Sequence, residues 1–174
     1  MAAVVEAAGR LFAERGPAAV SLRDVAQEAN VNLGLIHRYI GSKEDLLATV
    51  LAVRRRPESL PTEPEDIAAE LLRFDPEVVQ YIRVFVQANL DGYDVRRLQP
   101  AMPLLNAVAK SLRTRFPAPD ADVRAVLIAS MVFGFHSVGH TYLKTLGRSS
   151  LSDEELAAAV RPAVDALLDP NYLG

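Results

Sequence analysis

From Ala2 to Arg15 the apolar residues Val4, Val5, Ala8, Leu11 and Phe12 return at steps of three and four, the single stripe of an amphipathic helix. Gly16-Pro17 stops it, because glycine permits a left-handed exit and proline cannot continue the hydrogen-bond ladder. Ser21 stands three residues ahead of Asp24, placed to cap a new helix that carries an acid in its first turn. Leu22, Val25, Ala26 and Ala29 form its inner face. Asn30-Val31-Asn32 interrupts the pattern before a short segment from about Leu33 to Tyr39, which Gly41-Ser42 ends. Ser42 opens another helix running toward Arg55, with Glu44 and Asp45 in its first turn and Leu46, Leu47, Val50 and Leu51 inward. Helix, tight turn, helix and a following helix make the helix-turn-helix arrangement.

The stretch from Arg54 to Pro64 holds three prolines and is too proline-rich for one continuous helix, so it reads as a linker. Beyond it, helical patterns cover roughly Glu65–Phe74, Pro76–Asp91, Met102–Arg115, Ala121–Thr145 and Asp153–Leu168. Ser152 with Glu155 makes a capping box for the last. No strand-like alternation persists and no repeat occurs. The expected fold is all-α: a three-helix helix-turn-helix domain over residues 1–51, then a helical domain over 52–174.

Composition narrows the chemistry. Of 174 residues, 50% are hydrophobic and 24% charged, a balance that excludes wholesale disorder. No uninterrupted apolar run nears the roughly 18 residues of a membrane span. The start, Met1-Ala-Ala-Val-Val-Glu6, lacks the basic region of a secretory signal, so a cytoplasmic protein without a membrane partner is expected. Absence of cysteine excludes disulfides, thiolate metal sites and cysteine nucleophiles. Only His37, His136 and His140 remain as imidazoles, and no Glu-x-x-His pair, phosphate loop or nucleophile elbow occurs. Neither an enzyme nor a bound cofactor or metal is expected. Net charge is −3, but residues 1–56 carry eight Lys/Arg against six acids, and residues 57–174 carry eleven against sixteen. A mildly positive front on an acidic back is compatible with nucleic acid at the front alone.

A helix entering a major groove must show side chains on one face while its neighbours anchor the other. In the short segment Val31, Ile36 and Ile40 are suited to packing inward. His37, Arg38 and Tyr39 supply polar tips, and Gly34 lets the backbone approach a duplex closely. Arg38 suits a guanine edge or a phosphate, and His37 and Tyr39 suit phosphate oxygens. Taken singly, each is as ordinary as any solvated surface side chain; the case rests on the ordered set.

That set resembles a known family. Ser21-Leu-Arg-Asp-Val-Ala-Gln-Glu-Ala-Asn-Val-Asn-Leu-Gly-Leu-Ile-His-Arg-Tyr-Ile-Gly-Ser-Lys-Glu-Asp-Leu-Leu47, with Leu11-Phe-Ala-Glu-Arg-Gly16 upstream, is similar to the DNA-binding signature of TetR-family transcriptional regulators. The resemblance covers about residues 4–51. It implies DNA contacts at Arg23, Asn32, Leu33, Gly34, Leu35, His37, Arg38, Tyr39 and Lys43, and a phosphate contact at Ser21. Tyr39 and Lys43 carry the strongest expectation, Lys43 as a phosphate anchor beside the free amides of its helix. Two departures stand out. Leu33 and Leu35 replace the polar or basic residues many relatives carry there, and contact with thymine methyls would bias the sequence read toward A·T. Met1 leads almost directly into the first helix, leaving no basic arm.

For the remainder, the resemblance implies an effector pocket and a dimer interface in which the last two long helices pair with a second copy. The helix around Val126, Leu127, Ile128, Met131, Val132, Phe133 and Phe135 is apolar nearly all round and needs burial on more than one face. Pocket candidates are Tyr81, Phe85, Gln87, Asn89, Met102, Phe133, His136, His140 and Tyr142, polar or aromatic residues on apolar helix faces. His136 and His140 share a face, where simple packing competes with an effector role. The function implied is a homodimeric, sequence-specific regulator, a repressor released from a dyad-symmetric double-stranded DNA operator by a small-molecule effector. The alternative is a helical carrier or interaction module that binds an apolar ligand without DNA; such a module has no use for the turn-and-helix unit at Val31–Lys43.

Overall fold

Every regular element among the described residues is a helix, as the spacing of apolar positions requires. The computed structural model describes residues 1–53, 66, 72, 75–99, 102–148 and 151–169. In chain order the helices are α1 (Ala2–Arg15), α2 (Leu22–Glu28), α3 (Leu33–Tyr39), α4 (Lys43–Val53), α5 (Pro76–Leu90), α6 (Val95–Leu98), α7 (Pro103–Leu112), α8 (Ala118–Thr145) and α9 (Asp153–Leu168). Most of the helix expected over 65–74, and the end of the one running toward Arg55, lie outside the described residues. The four-residue α6 has no apolar period to betray it; the Asp94 side chain starts it by accepting the Arg97 N–H at 3.1 Å.

Reciprocal caps open three of these helices. Asp24 N–H donates to Ser21 Oγ while its carboxylate accepts the Ser21 N–H at 2.8 Å. Ser42 and Asp45 repeat the arrangement at α4, and Ser152 and Glu155 at α9. The turn between α2 and α3 is closed by Asn30, left-handed at φ 53°, with Val31 N–H reaching back to the Ala26 carbonyl. Asparagine tolerates that conformation better than other side chains with a Cβ.

The chain divides into two compact units. The first combines the described parts of residues 1–56 with those of 76–100, so it extends beyond the expected boundary at residue 51. Its core holds Val4, Ala8, Phe12, Val25, Ile36, Leu46, Leu47 and Leu51 from the first four helices, and Ile82, Val84 and Ala88 from α5. The reason is α1, which packs against α2, α4 and α5. Beside its apolar stripe it buries Ala7 and Gly9, which with Ala8 are small enough to allow a second helix close approach.

The second unit holds α7, α8 and α9, with α8 packed on both neighbours. Val108, Leu112, Ala121, Ala125, Ile128, Val132 and Val164 form its core. Buried Arg124 stacks over the Phe116 ring at 4.0 Å and donates to the Leu167 carbonyl at 3.0 Å, satisfying the open end of α9. Among the described residues α8 is the one helix long and apolar enough to cross a bilayer by length and composition; a third of that stretch is buried inside the chain.

Two outcomes are expected. Phe12→Ala, which empties a fully buried site, lowers unfolding stability by about 3–5 kcal/mol in denaturant titration. Hydrogen bonds from Ser21 hold Asp24 below its ordinary 3.8, and hydrogen bonds from Ser42 do the same for Asp45. A carboxylate lowered on folding adds stability that is full above its unfolded value and is lost as pH falls through the folded one. The stability gap between the wild type and Asp45→Ala is therefore full at neutral pH and narrows below 3.8.

Candidate nucleic-acid interface

Helix α3 is seven residues long, and Ile36 is its one buried residue. At about 100° per residue, Gly34 and Arg38 lie farthest from Ile36. Leu35 and Tyr39 occupy one flank and His37 the other. The exposures agree: Gly34, Leu35, His37, Arg38 and Tyr39 are exposed, and Leu33 and Ile40 are half-buried. Asn32 caps the helix, its Oδ1 accepting the Gly34 N–H at 2.7 Å. The Arg38 guanidinium lies 5.5 Å from the Tyr39 ring centroid, a cation held on an aromatic face at the surface. Arg23, on α2, is exposed as well.

Two of the expected phosphate contacts have other partners. The Ser21 hydroxyl donates to Asp24 Oδ2 at 2.6 Å, and its N–H serves the same carboxylate. Lys43 is half-buried; its Nζ donates to the Pro17 carbonyl at 2.8 Å and lies 5.9 Å from the Tyr93 ring centroid. Lys43 therefore braces the turn between α1 and α2, with donor capacity remaining on the ammonium.

The same turn is held by a residue that sequence reasoning missed. Asp91, just past α5, accepts the Ala18 N–H at 2.7 Å. Its carboxylate also lies 3.1 Å from where a side chain on Gly16 would begin, and Gly16 is left-handed at φ 79°. A residue with a Cβ there would be strained and would press on Asp91. The only local signal was Asp91-Gly92, an ordinary turn dipeptide.

The nine pocket candidates do not form one group. Tyr81, Phe85, Gln87 and Asn89 sit on α5 in the first unit, and Met102, Phe133, His136, His140 and Tyr142 belong to the second. Tyr81 is buried with its hydroxyl 2.8 Å from Gln99 Oε1, and its ring lies 6.1 Å from that of Phe85. Gln87 faces Gly16, and Asn89 is exposed. His136 is buried, whereas His140 is exposed with Nε2 3.4 Å from Asp153 Oδ1. Tyr142 is exposed too. Two cavities in the first unit, one of about 160 Å³ at Met1, Val31 and Leu35 and one of about 300 Å³ at Ala18, Asp91 and Arg97, involve none of the nine.

Known proteins share this arrangement. A family model described as "Bacterial regulatory proteins, tetR family" matches residues 4–50. The HTH-type transcriptional repressor Rv3405c of Mycobacterium tuberculosis is 34% identical over 98% of this chain and 89% of its own length. The chain belongs to the TetR family. The HTH-type transcriptional regulator BetI of Rhizobium meliloti is 30% identical over 97% of this chain and 89% of its own length. Among solved structures, Mycobacterium smegmatis BioQ superposes with a TM-score of 0.60 at 17% identity, covering 95% of each chain. Salmonella enterica GusR gives 0.61 at 16% identity over 96% of this chain and 94% of its own. These two show the shared helical fold. As a TetR-family protein the chain is a helix-turn-helix, DNA-binding transcriptional regulator, in a family of non-enzymatic proteins.

Because Asp91 holds the α1–α2 turn with a charge-assisted bond, Asp91→Ala is expected to lower the melting temperature by roughly 2–4 °C, read by circular dichroism.

Proposed function

We propose that this TetR-family regulator is a cytoplasmic, homodimeric repressor whose paired α3 helices read a dyad-symmetric operator and leave it when a small molecule binds the second unit. The observation that carries the dimer is the outer face of α8. Val123, Val126 and Leu127 are 60%, 54% and 48% exposed, and Val138 and Tyr142 continue the same face. Ser130 and Gly134, both exposed, lie between them, and a Cβ on Gly134 would meet nothing within 4 Å. A long apolar stripe with small residues at its centre suits close packing on a second helix, and a twofold dimer covers both copies at once. The exposed Ala158, Ala159 and Ala163 of α9 offer a similar surface.

Repression is supported by the 34% identity to a relative named a repressor. Direct readout is supported by the outward set on α3: Arg38 for a base edge or phosphate, and His37 and Tyr39 for backbone oxygens. Arg23, Asn32, Gly34 and Lys43 frame that set. An effector site in the second unit is supported by buried His136, one turn from half-buried Phe133 in a mainly apolar core.

The test is fluorescence anisotropy of the whole protein on its own upstream intergenic duplex and on a scrambled one, at two salt concentrations. Binding preferential to the upstream duplex and weakened by salt is expected. Arg38→Ala should cost about 1–3 kcal/mol of operator affinity with melting temperature unchanged. Sedimentation velocity should give a dimer for the wild type and a monomer for Leu127→Glu. Absence of salt-dependent binding to any duplex, or a wild-type monomer, contradicts the reading.

A further inference from the structure

We infer that Leu35 is a specificity residue that reads the C5-methyl group of a thymine in the major groove; this rests on the proposed role of α3 as the reading helix. Leu35 is 45% exposed, one step along the helix surface from Arg38 and directly beneath Tyr39, which is 62% exposed. Neighbouring Gly34 has no side chain to hold the backbone away from a duplex. Below Leu35 lies a concavity of about 160 Å³ lined by Met1, Val4, Val31, Leu35, Ile36 and Tyr39, almost wholly apolar. Exposed Arg38, one turn along from Leu35, brings a guanidinium to the edge of this patch, as a phosphate-lined groove requires. Leu33 is half-buried, which leaves Leu35 as the leucine that presents itself outward.

A leucine cannot donate or accept a hydrogen bond. Pressed on a G·C edge, it would dehydrate base donors and acceptors and return nothing, which is costly. In the major groove the apolar feature that a base pair offers is the thymine methyl. A small apolar patch beside an arginine therefore selects a step in which a thymine neighbours the base or phosphate that Arg38 engages.

The experiment uses the full-length protein. Duplexes are selected from a random pool, and the winning site is synthesised with each thymine replaced in turn by deoxyuridine, which removes only the methyl. Affinities are measured for the wild type, Leu35→Ala and Leu33→Ala, with circular dichroism melts as a check on folding. The expected result is at least one thymine per half-site whose replacement weakens wild-type binding by about fourfold, the value of one buried methyl. Leu35→Ala should bind the thymine and uracil duplexes equally there, and Leu33→Ala should still distinguish them. Equal wild-type binding to every uracil duplex, with sequence selection intact, overturns the assignment and leaves DNA reading standing. Discrimination that survives in Leu35→Ala overturns it as well. A pool that yields no enriched sequence overturns the assignment together with the DNA-reading role of α3.

Discussion

A helix of seven residues does not hold itself together in water, since nucleation costs more than so few hydrogen bonds return. Helix α3 is such a helix, and a single fully buried side chain, Ile36, fastens it to its unit. Asn32 secures its first turn, and the Ile40 and Gly41 amides reach back to the Ile36 carbonyl. The outward residues are consequently placed by the core beneath them. Loosening Ile36 would disperse the Arg38–Tyr39 pair and Leu35 without touching any of them.

That core is larger than a minimal three-helix unit. Helix α5 lies against α1, and the residue that follows it, Asp91, holds the turn leading into α2. Lys43 grips the same turn from the start of α4 and approaches Tyr93 beyond α5. A displacement of α5 therefore acts on the α1–α2 turn through specific hydrogen bonds, a physical contact by which a later segment of the chain bears on the helix-turn-helix unit. Helix α8 answers a different constraint: its inner face fills the second core while its outer face stays apolar, which is what obliged the sequence to look hydrophobic nearly all round.

Much of this was legible because it is local. The serine–acid spacings at Ser21, Ser42 and Ser152 specify caps through contacts three residues apart, and all three are formed. Residues Leu33–Tyr39 have the bounds that Asn32 and Gly41 impose. Helix α8 begins at Ala118, three residues before the apolar pattern starts: Pro117 is its N-cap and Pro119 sits in its first turn, where the missing N–H would have no intrahelical partner anyway. What was not legible is long-range. Nothing near Asp91 points to Ala18, 73 positions away, and nothing near Lys43 points to the Pro17 carbonyl. Nothing near Tyr81 points to Gln99, 18 positions on, which accepts its hydroxyl. The pocket candidates share a residue type, polar or aromatic on an apolar face, and that type alone cannot say which compact unit a side chain belongs to.

The central claim is that the outward face of α3, framed by the starts of α2 and α4, is the surface that meets the operator. Amide hydrogen exchange of the full-length protein, with and without its selected operator duplex, tests it most directly. The account predicts that exchange slows on DNA addition across residues 32–43 and the start of α2, with α7 and the outer face of α8 unchanged. Protection confined to the second unit, with α3 exchanging as it does in the free protein, would contradict it.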